Sequence, residues 1–190
     1  MLTKTLQIPT ADGHADAFAA FPDHAERHPG VVAQLMPLIE AHTAERVRSD
    51  ADAYLRFLTT QPEVGTGPVA VTGYCIGGLL AMRTATAHPG QVAAVAGFHG
   101  PVGADGPDSL HRLTAEVHLG HAETDMTPEA LGELNQVLDA AGVGYTSEIY
   151  PGTVHGFTMS DTDAFNPAAL QRHWDRLLPL LGRALKQTAL

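Results

Sequence analysis

The sequence predicts an α/β protein: a three-layer sandwich with a mostly parallel sheet between helices, and an antiparallel hairpin in front of it. Three observations carry this. From residue 69 onward the hydrophobic pattern reads β-α-β-β-α-β-α, with short connections. Val92–Phe98, VAAVAGF, is apolar throughout, as a strand buried on both faces is. Val69–Leu80, VAVTGYCIGGLL, reads as strand, tight glycine-flanked turn and helix, with the chain's one cysteine at the apex.

Taken in order, Thr3–Ile8 alternates polar and apolar, Asp12-Gly13 punctuates, and Ala15–Phe21 resumes the alternation. This is a hairpin, expected at a sheet edge. Pro22 to Pro29 is a polar loop. Val31-Val32 begins like a strand, but Gln34-Leu35-Met36-Pro37 follows at once and reads as loop or helix. From about Ala41 the period is helical: Val47, Ala51, Tyr54, Leu55 and Leu58 share a face, opposite Arg48, Asp52 and Arg56. Gln61–Pro68 is a glycine-proline loop. The helix after the cysteine ends near His88-Pro89-Gly90. His99–Asp108 is again a loop, and Glu116–Gly120 a short strand. Thr127 caps a helix with Pro128 at its first position. Leu131, Leu134 and Leu138 form its buried stripe, and Gly142 ends it. Tyr145–Tyr150 is a strand. Asn166-Pro167 opens the last helix, whose core side is expected to carry Leu170, Trp174, Leu177, Leu178 and Leu181.

A chain of 190 residues, 44% of them hydrophobic, suits one domain spanning 1–190 with a proper core. The net charge is −10, with no run of lysine or arginine, so nucleic acid is not an expected partner. One cysteine excludes an internal disulfide. MLTKTLQIPTADG has no apolar signal core, and no stretch is apolar enough for long enough to span a bilayer. The expected location is the cytoplasm. Nothing in the residues sets an oligomeric state.

The chemistry centres on Cys75. Gly73-Tyr74-Cys75-Ile76-Gly77 has the shape of G-x-S-x-G with cysteine for serine, and such an elbow exposes a nucleophile at the end of a strand. The N–H of Ile76 is placed to donate to an oxyanion. Gly73 and Gly77 are expected to leave room for neighbouring elements. A thiol nucleophile needs a base, and the base an orienting acid. Leu119–Asp125, LGHAETD, puts Asp125 just past a strand, with Glu123 as an alternative carboxylate. Tyr150–Phe157, YPGTVHGF, puts His155 after the last strand. Both positions are carboxyl ends of strands, where an open α/β sheet places its ligand crevice. Tyr74, His99, Glu123 and Phe157 are candidates for lining the site. His118, His121, Glu123 and Asp125 offer no metal set, because the two histidines face opposite sides of a strand and no cysteine joins them. No cofactor is expected.

These pieces, GYCIGG, LGHAETDMTP and YPGTVHGF, resemble the dienelactone hydrolase family, cysteine-based α/β hydrolases. The resemblance covers roughly residues 66–190 and extends to the N-terminal hairpin. It implies an α/β-hydrolase-like fold and hydrolysis of a small ester, lactone or thioester. Cys75 would be the nucleophile, His155 the base and Asp125 the acid. Family members have a complete β-α-β unit between the hairpin and the helix near residues 41–60, and its loop supplies a second oxyanion donor. Here Val32 runs straight into Ala33-Gln34, so that unit is missing. The alternative implied is a non-catalytic binding or scaffold relative. Some members hold a substrate carboxylate with an arginine soon after the histidine. His155–Ser160 contains none, so a neutral ester, lactone or thioester is as much to be expected as dienelactone itself.

Overall fold

The computed structural model describes residues 3–10, 13–20, 37, 39–62, 64–100 and 107–185. The chain forms two compact units, Met1–Thr66 and Gly67–Leu190. In the first, β1 (Thr3–Thr10) and β2 (Gly13–Ala20) pair antiparallel from Thr3↔Ala20 to Thr10↔Gly13. Helix α1 (Ala44–Thr59) starts at Thr43, whose hydroxyl accepts the Arg46 N–H at 3.3 Å. Val47, Ala51, Ala53 and Leu55 are its buried residues, while Tyr54 is exposed. The Val31–Gln34 junction, and with it the missing unit and its oxyanion donor, lies outside the described residues.

The second unit is a four-stranded parallel sheet in the order β3-β4-β5-β6. Its strands are β3 (Val69–Tyr74), β4 (Val92–Phe98), β5 (Glu116–Ala122) and β6 (Tyr145–Tyr150). Between them run α2 (Ile76–Ala87), α3 (Pro107–Leu110) and α4 (Pro128–Ala140), and α5 (Pro167–Ala184) follows β6. The strands advance across the sheet in chain order. Right-handed crossovers taken in one direction leave their helices on one face. Ala81, Met82, Leu110 and Leu138 accordingly pack with Val95, Val117 and Leu119 in one core cluster. Helix α5 covers the other face, where Ala169, Leu177, Leu180 and Ala184 meet Ala94, Ala96, Phe98, Ala122 and Tyr150. The alternation Ala94, Val95, Ala96 shows why VAAVAGF is apolar throughout: both faces of β4 are buried.

The caps follow the sequence. Thr127 accepts the Ala130 N–H at 3.2 Å and Asn166 the Ala169 N–H at 3.0 Å. At the end of α4, Gly142 N–H donates to Asp139 O at 3.0 Å and Val143 N–H to Leu138 O at 3.1 Å, a Schellman closure.

Two expectations need correction. The strand before the cysteine continues through Gly73 and Tyr74, so the turn is confined to Cys75 itself. The core side of α5 is Ala169, His173, Leu177, Leu180 and Ala184, not the side with Trp174 and Leu178, which are 42% and 57% exposed. Each step along a helix turns about 100°. Reading Trp174 for His173 therefore rotates the predicted face away from the sheet.

Candidate active site

Cys75 caps α2 with φ 54° and ψ −131°, a conformation an L-residue holds only when its surroundings over-determine it. They do. Its N–H donates to Phe98 O at 3.0 Å, extending the β3–β4 ladder, and its carbonyl accepts the Gly78 N–H at 3.0 Å. A Cβ on Gly73 would lie 1.9 Å from Gly77 O, and one on Gly100 would lie 2.0 Å from the Cys75 carbonyl oxygen. Gly73 is thus required, as expected. The second glycine the elbow requires is Gly100 and not Gly77, whose own Cβ would meet no described atom within 4 Å. The thiol is exposed. Ile76 is the first residue of α2, so its N–H has no carbonyl within the helix to bond.

On the β5–β6 side, three consecutive residues grip the loop that carries the histidine. The Glu123 carboxylate accepts the Gly152 N–H at 2.5 Å, while the Glu123 N–H reaches the Thr153 hydroxyl at 3.2 Å. The Thr124 hydroxyl accepts the His155 N–H at 3.2 Å. Asp125 Oδ2 lies 2.7 Å from His155 Nδ1. Of the two candidate carboxylates, Asp125 meets the imidazole and Glu123 holds the loop. A carboxylate is an acceptor, so Nδ1 donates, which in the neutral imidazole leaves the lone pair on Nε2. The His155 side chain is 46% exposed and that of Asp125 22%, so the pair is open to a substrate.

Strand order ties these groups together. Cys75, His99, Asp125 and His155 follow β3, β4, β5 and β6 at one edge of the sheet. His99 stands between the two halves. Its backbone has φ 37°, its side chain is buried, and its ring meets the His155 ring edge-on at 5.1 Å. Its Nε2 is 2.8 Å from the Thr158 hydroxyl. Burial, and then the neighbouring His155, hold the His99 imidazole below its ordinary range. Burial likewise holds His121 down, to about 4, against the pull of Asp125.

Among the remaining candidates, Tyr74 stacks on Phe98 with ring centroids 5.6 Å apart, and its hydroxyl lies 2.8 Å from His173 Nε2. Phe157 is fully buried and touches His99 and Tyr150. Sequence reasoning missed Gly100, Thr124, Thr158 and His173. Thr124 sat in view between two weighed carboxylates. Thr158 and His173 gave no signal, because neither type nor spacing marks a residue whose partner is far away in the chain. Among the described residues no group of three or more His, Cys, Asp or Glu could hold a metal ion, and no helix is long and apolar enough to cross a membrane.

Known proteins share this architecture. A Klebsiella pneumoniae subsp. pneumoniae MGH 78578 protein named for the dienelactone hydrolases superposes with a TM-score of 0.74 at 16% identity, over 95% of this chain and 98% of that one. At that identity it shows the fold alone. A Bradyrhizobium sp. protein named as a probable 2-oxo-3-(5-oxofuran-2-ylidene)propanoate lactonase is 27% identical over 153 residues, 74% of this chain and 60% of that protein. A Synechocystis sp. protein named as a carboxymethylenebutenolidase is 25% identical over 155 residues, 76% of this chain and 62% of that protein. The chain thus spans about three fifths of the length of these two relatives. The profile of one family matches residues 16–185, nearly the whole chain: the protein belongs to the dienelactone hydrolase family.

Proposed function

We propose that the protein hydrolyses a small neutral ester or lactone through Cys75, His155 and Asp125. The observation that carries this is the 2.7 Å contact between His155 Nδ1 and Asp125, at the sheet edge that also bears the strained, exposed Cys75. The relative named as a lactonase supports the substrate class. The segment after His155 has no arginine, and Met159 is exposed there, which favours an uncharged acyl group. A free-thiol nucleophile and the absence of other cysteines suit a reducing compartment such as the cytoplasm.

In the proposed mechanism His155 Nε2 takes the Cys75 proton as sulfur attacks the carbonyl carbon. Asp125 holds the imidazole in the required tautomer and stabilises the imidazolium. The Ile76 N–H, at the positive end of α2, faces the oxyanion. The C–O bond to the leaving alkoxide breaks as His155 returns the proton, leaving a thioacyl-enzyme. Water then attacks the thioester, His155 takes its proton, and the thiol is released.

The test is hydrolysis of neutral aryl esters and γ-lactones by the wild type and Cys75→Ala. The wild type turns over, and Cys75→Ala falls to the background of the buffer. Equal hydrolysis by both removes Cys75 from the reaction. No hydrolysis by either, with a thiol that labels only in denaturant, favours the binding or scaffold reading.

A further inference from the structure

The His99 side chain is one of the largest that are fully buried, yet among the described residues its Nδ1 has no hydrogen-bond partner. An unpaired buried ring nitrogen is a standing cost. Phenylalanine would fill the same space without it, and what the histidine offers in return at Nε2 is the contact with Thr158. Thr158 is three residues past His155. The His99 backbone is fixed from two sides. Its N–H donates to Gly120 O at 2.8 Å, and the next residue, Gly100, lies against the Cys75 carbonyl. The left-handed φ at His99 is the bend that allows both. The ring of the same residue touches Tyr74 before the thiol and both His155 and Phe157 beyond it.

We infer that His99 is a positioning residue: its bond to Thr158 clamps the histidine loop to the elbow and sets how His155 faces the Cys75 thiol. This rests on the catalytic reading above. The clamp acts by geometry and not by charge. Burial, and then His155, hold the His99 imidazole below its ordinary range, and the neutral form this favours does not oppose the imidazolium that forms on His155. A displaced base lowers turnover far more than substrate binding.

The test uses a neutral aryl ester and four variants: His99→Phe, His99→Gln, Thr158→Val and the double His99→Phe/Thr158→Val. Phenylalanine keeps the ring and loses the bond. Glutamine places an amide nitrogen near the position of Nε2. Each bond-breaking single variant is expected to lose about 10- to 100-fold in kcat with KM little changed. The double variant should lose no more than the worse single, since both remove one bond. His99→Gln should recover most of the loss, and the acid limb of the pH profile should stay where it is in the wild type. Additive losses, or falling melting temperature with unchanged kcat per folded molecule, would make His99 merely structural. A moved acid limb would make its role electrostatic. Thr158→Val covers the case in which His99→Phe does not fold. Alkylation of Cys75 by iodoacetamide gives a readout without turnover. It should slow in Thr158→Val, and equal rates overturn the clamp. If Cys75→Ala is inactive while Thr158→Val matches the wild type, the triad stands and the clamp falls. If Cys75→Ala hydrolyses like the wild type, the catalytic reading itself falls.

Discussion

On the face of the parallel sheet covered by α2 and α4, the buried cluster is aliphatic, with Met82, Val95, Val117, Leu119 and Leu138, and a polar exception is His121 at the carboxyl end of β5, 3.4 Å from the Ser147 hydroxyl. On the face covered by α5, the same strands present Phe98, His118 and Tyr150, and the helix adds His173. The first face gains its stability from burial, which has no direction. The second is directional. His118 Nδ1 is 2.8 Å from the Thr146 hydroxyl, His173 Nε2 is 2.8 Å from the Tyr74 hydroxyl, and the rings of Phe98 and His173 lie 4.1 Å apart. This network runs through Tyr74 to His99 at the rim. One face holds the sheet together, and the other holds the rim groups in place.

The largest expected effect tests the aliphatic face. Leu138 is fully buried at the closure of α4. Leu138→Ala should cost about 2–5 kcal/mol in a urea titration. Activity per folded molecule should not change. A fall in kcat at full folding would mean that this face also positions the site, and the contrast would fail.

The second prediction uses pH. Burial holds His118 and His173 at about 4, well below the 6.5 of an unfolded histidine. Between these values the unfolded chain binds protons that the folded chain does not. Stability is therefore complete above about pH 6.5 and is lost as pH falls towards 4. Each such histidine contributes up to about 1.4 kcal/mol per pH unit within that window. His118→Leu combined with Thr146→Val removes one histidine and the hydroxyl on its Nδ1, leaves the Tyr150 hydroxyl that lay 3.4 Å from its Nε2, and should flatten the slope by up to that amount. Leu138→Ala should lower the whole curve and leave the slope alone. Parallel curves for both variants would mean that the histidine face does not titrate as a separate device.

How much of this was legible in the sequence depended on distance along the chain. The caps Thr127 and Asn166 and the limits of β4 are local, and the pattern fixed them. The order Cys75, Asp125, His155 at strand ends was legible too, because parallel topology alone brings strand ends to one edge. The α5 face was not. A histidine in a leucine-rich helix reads as polar, and its reasons to be inside, the Tyr74 hydroxyl 99 residues away in sequence and the Phe98 ring, are both distant in the chain. Gly100 went unread for the same reason: its need for space comes from the Cys75 carbonyl, not from its neighbours in sequence.

The smallest effect is expected where the α5 face meets solvent. Glu148 on β6 accepts from Arg176 Nε at 2.7 Å and Nη2 at 3.2 Å, and also from Arg172. Burial pushes the Glu148 carboxyl up, but the two guanidiniums outweigh it and leave the group below its ordinary range. Arg172 also lies over the Tyr150 ring at 4.9 Å, whereas the Arg176 side chain is 51% exposed. Arg176→Ala leaves Glu148 still paired to Arg172, so no buried charge is stranded. Its cost in a urea titration should be less than about 1 kcal/mol and should shrink further in high salt. Arg172→Ala removes the inner partner and the ring contact together, and should cost more. If the two variants cost the same, the directional network ends at Tyr150, and Glu148 belongs to the solvated surface rather than to the face that positions the site.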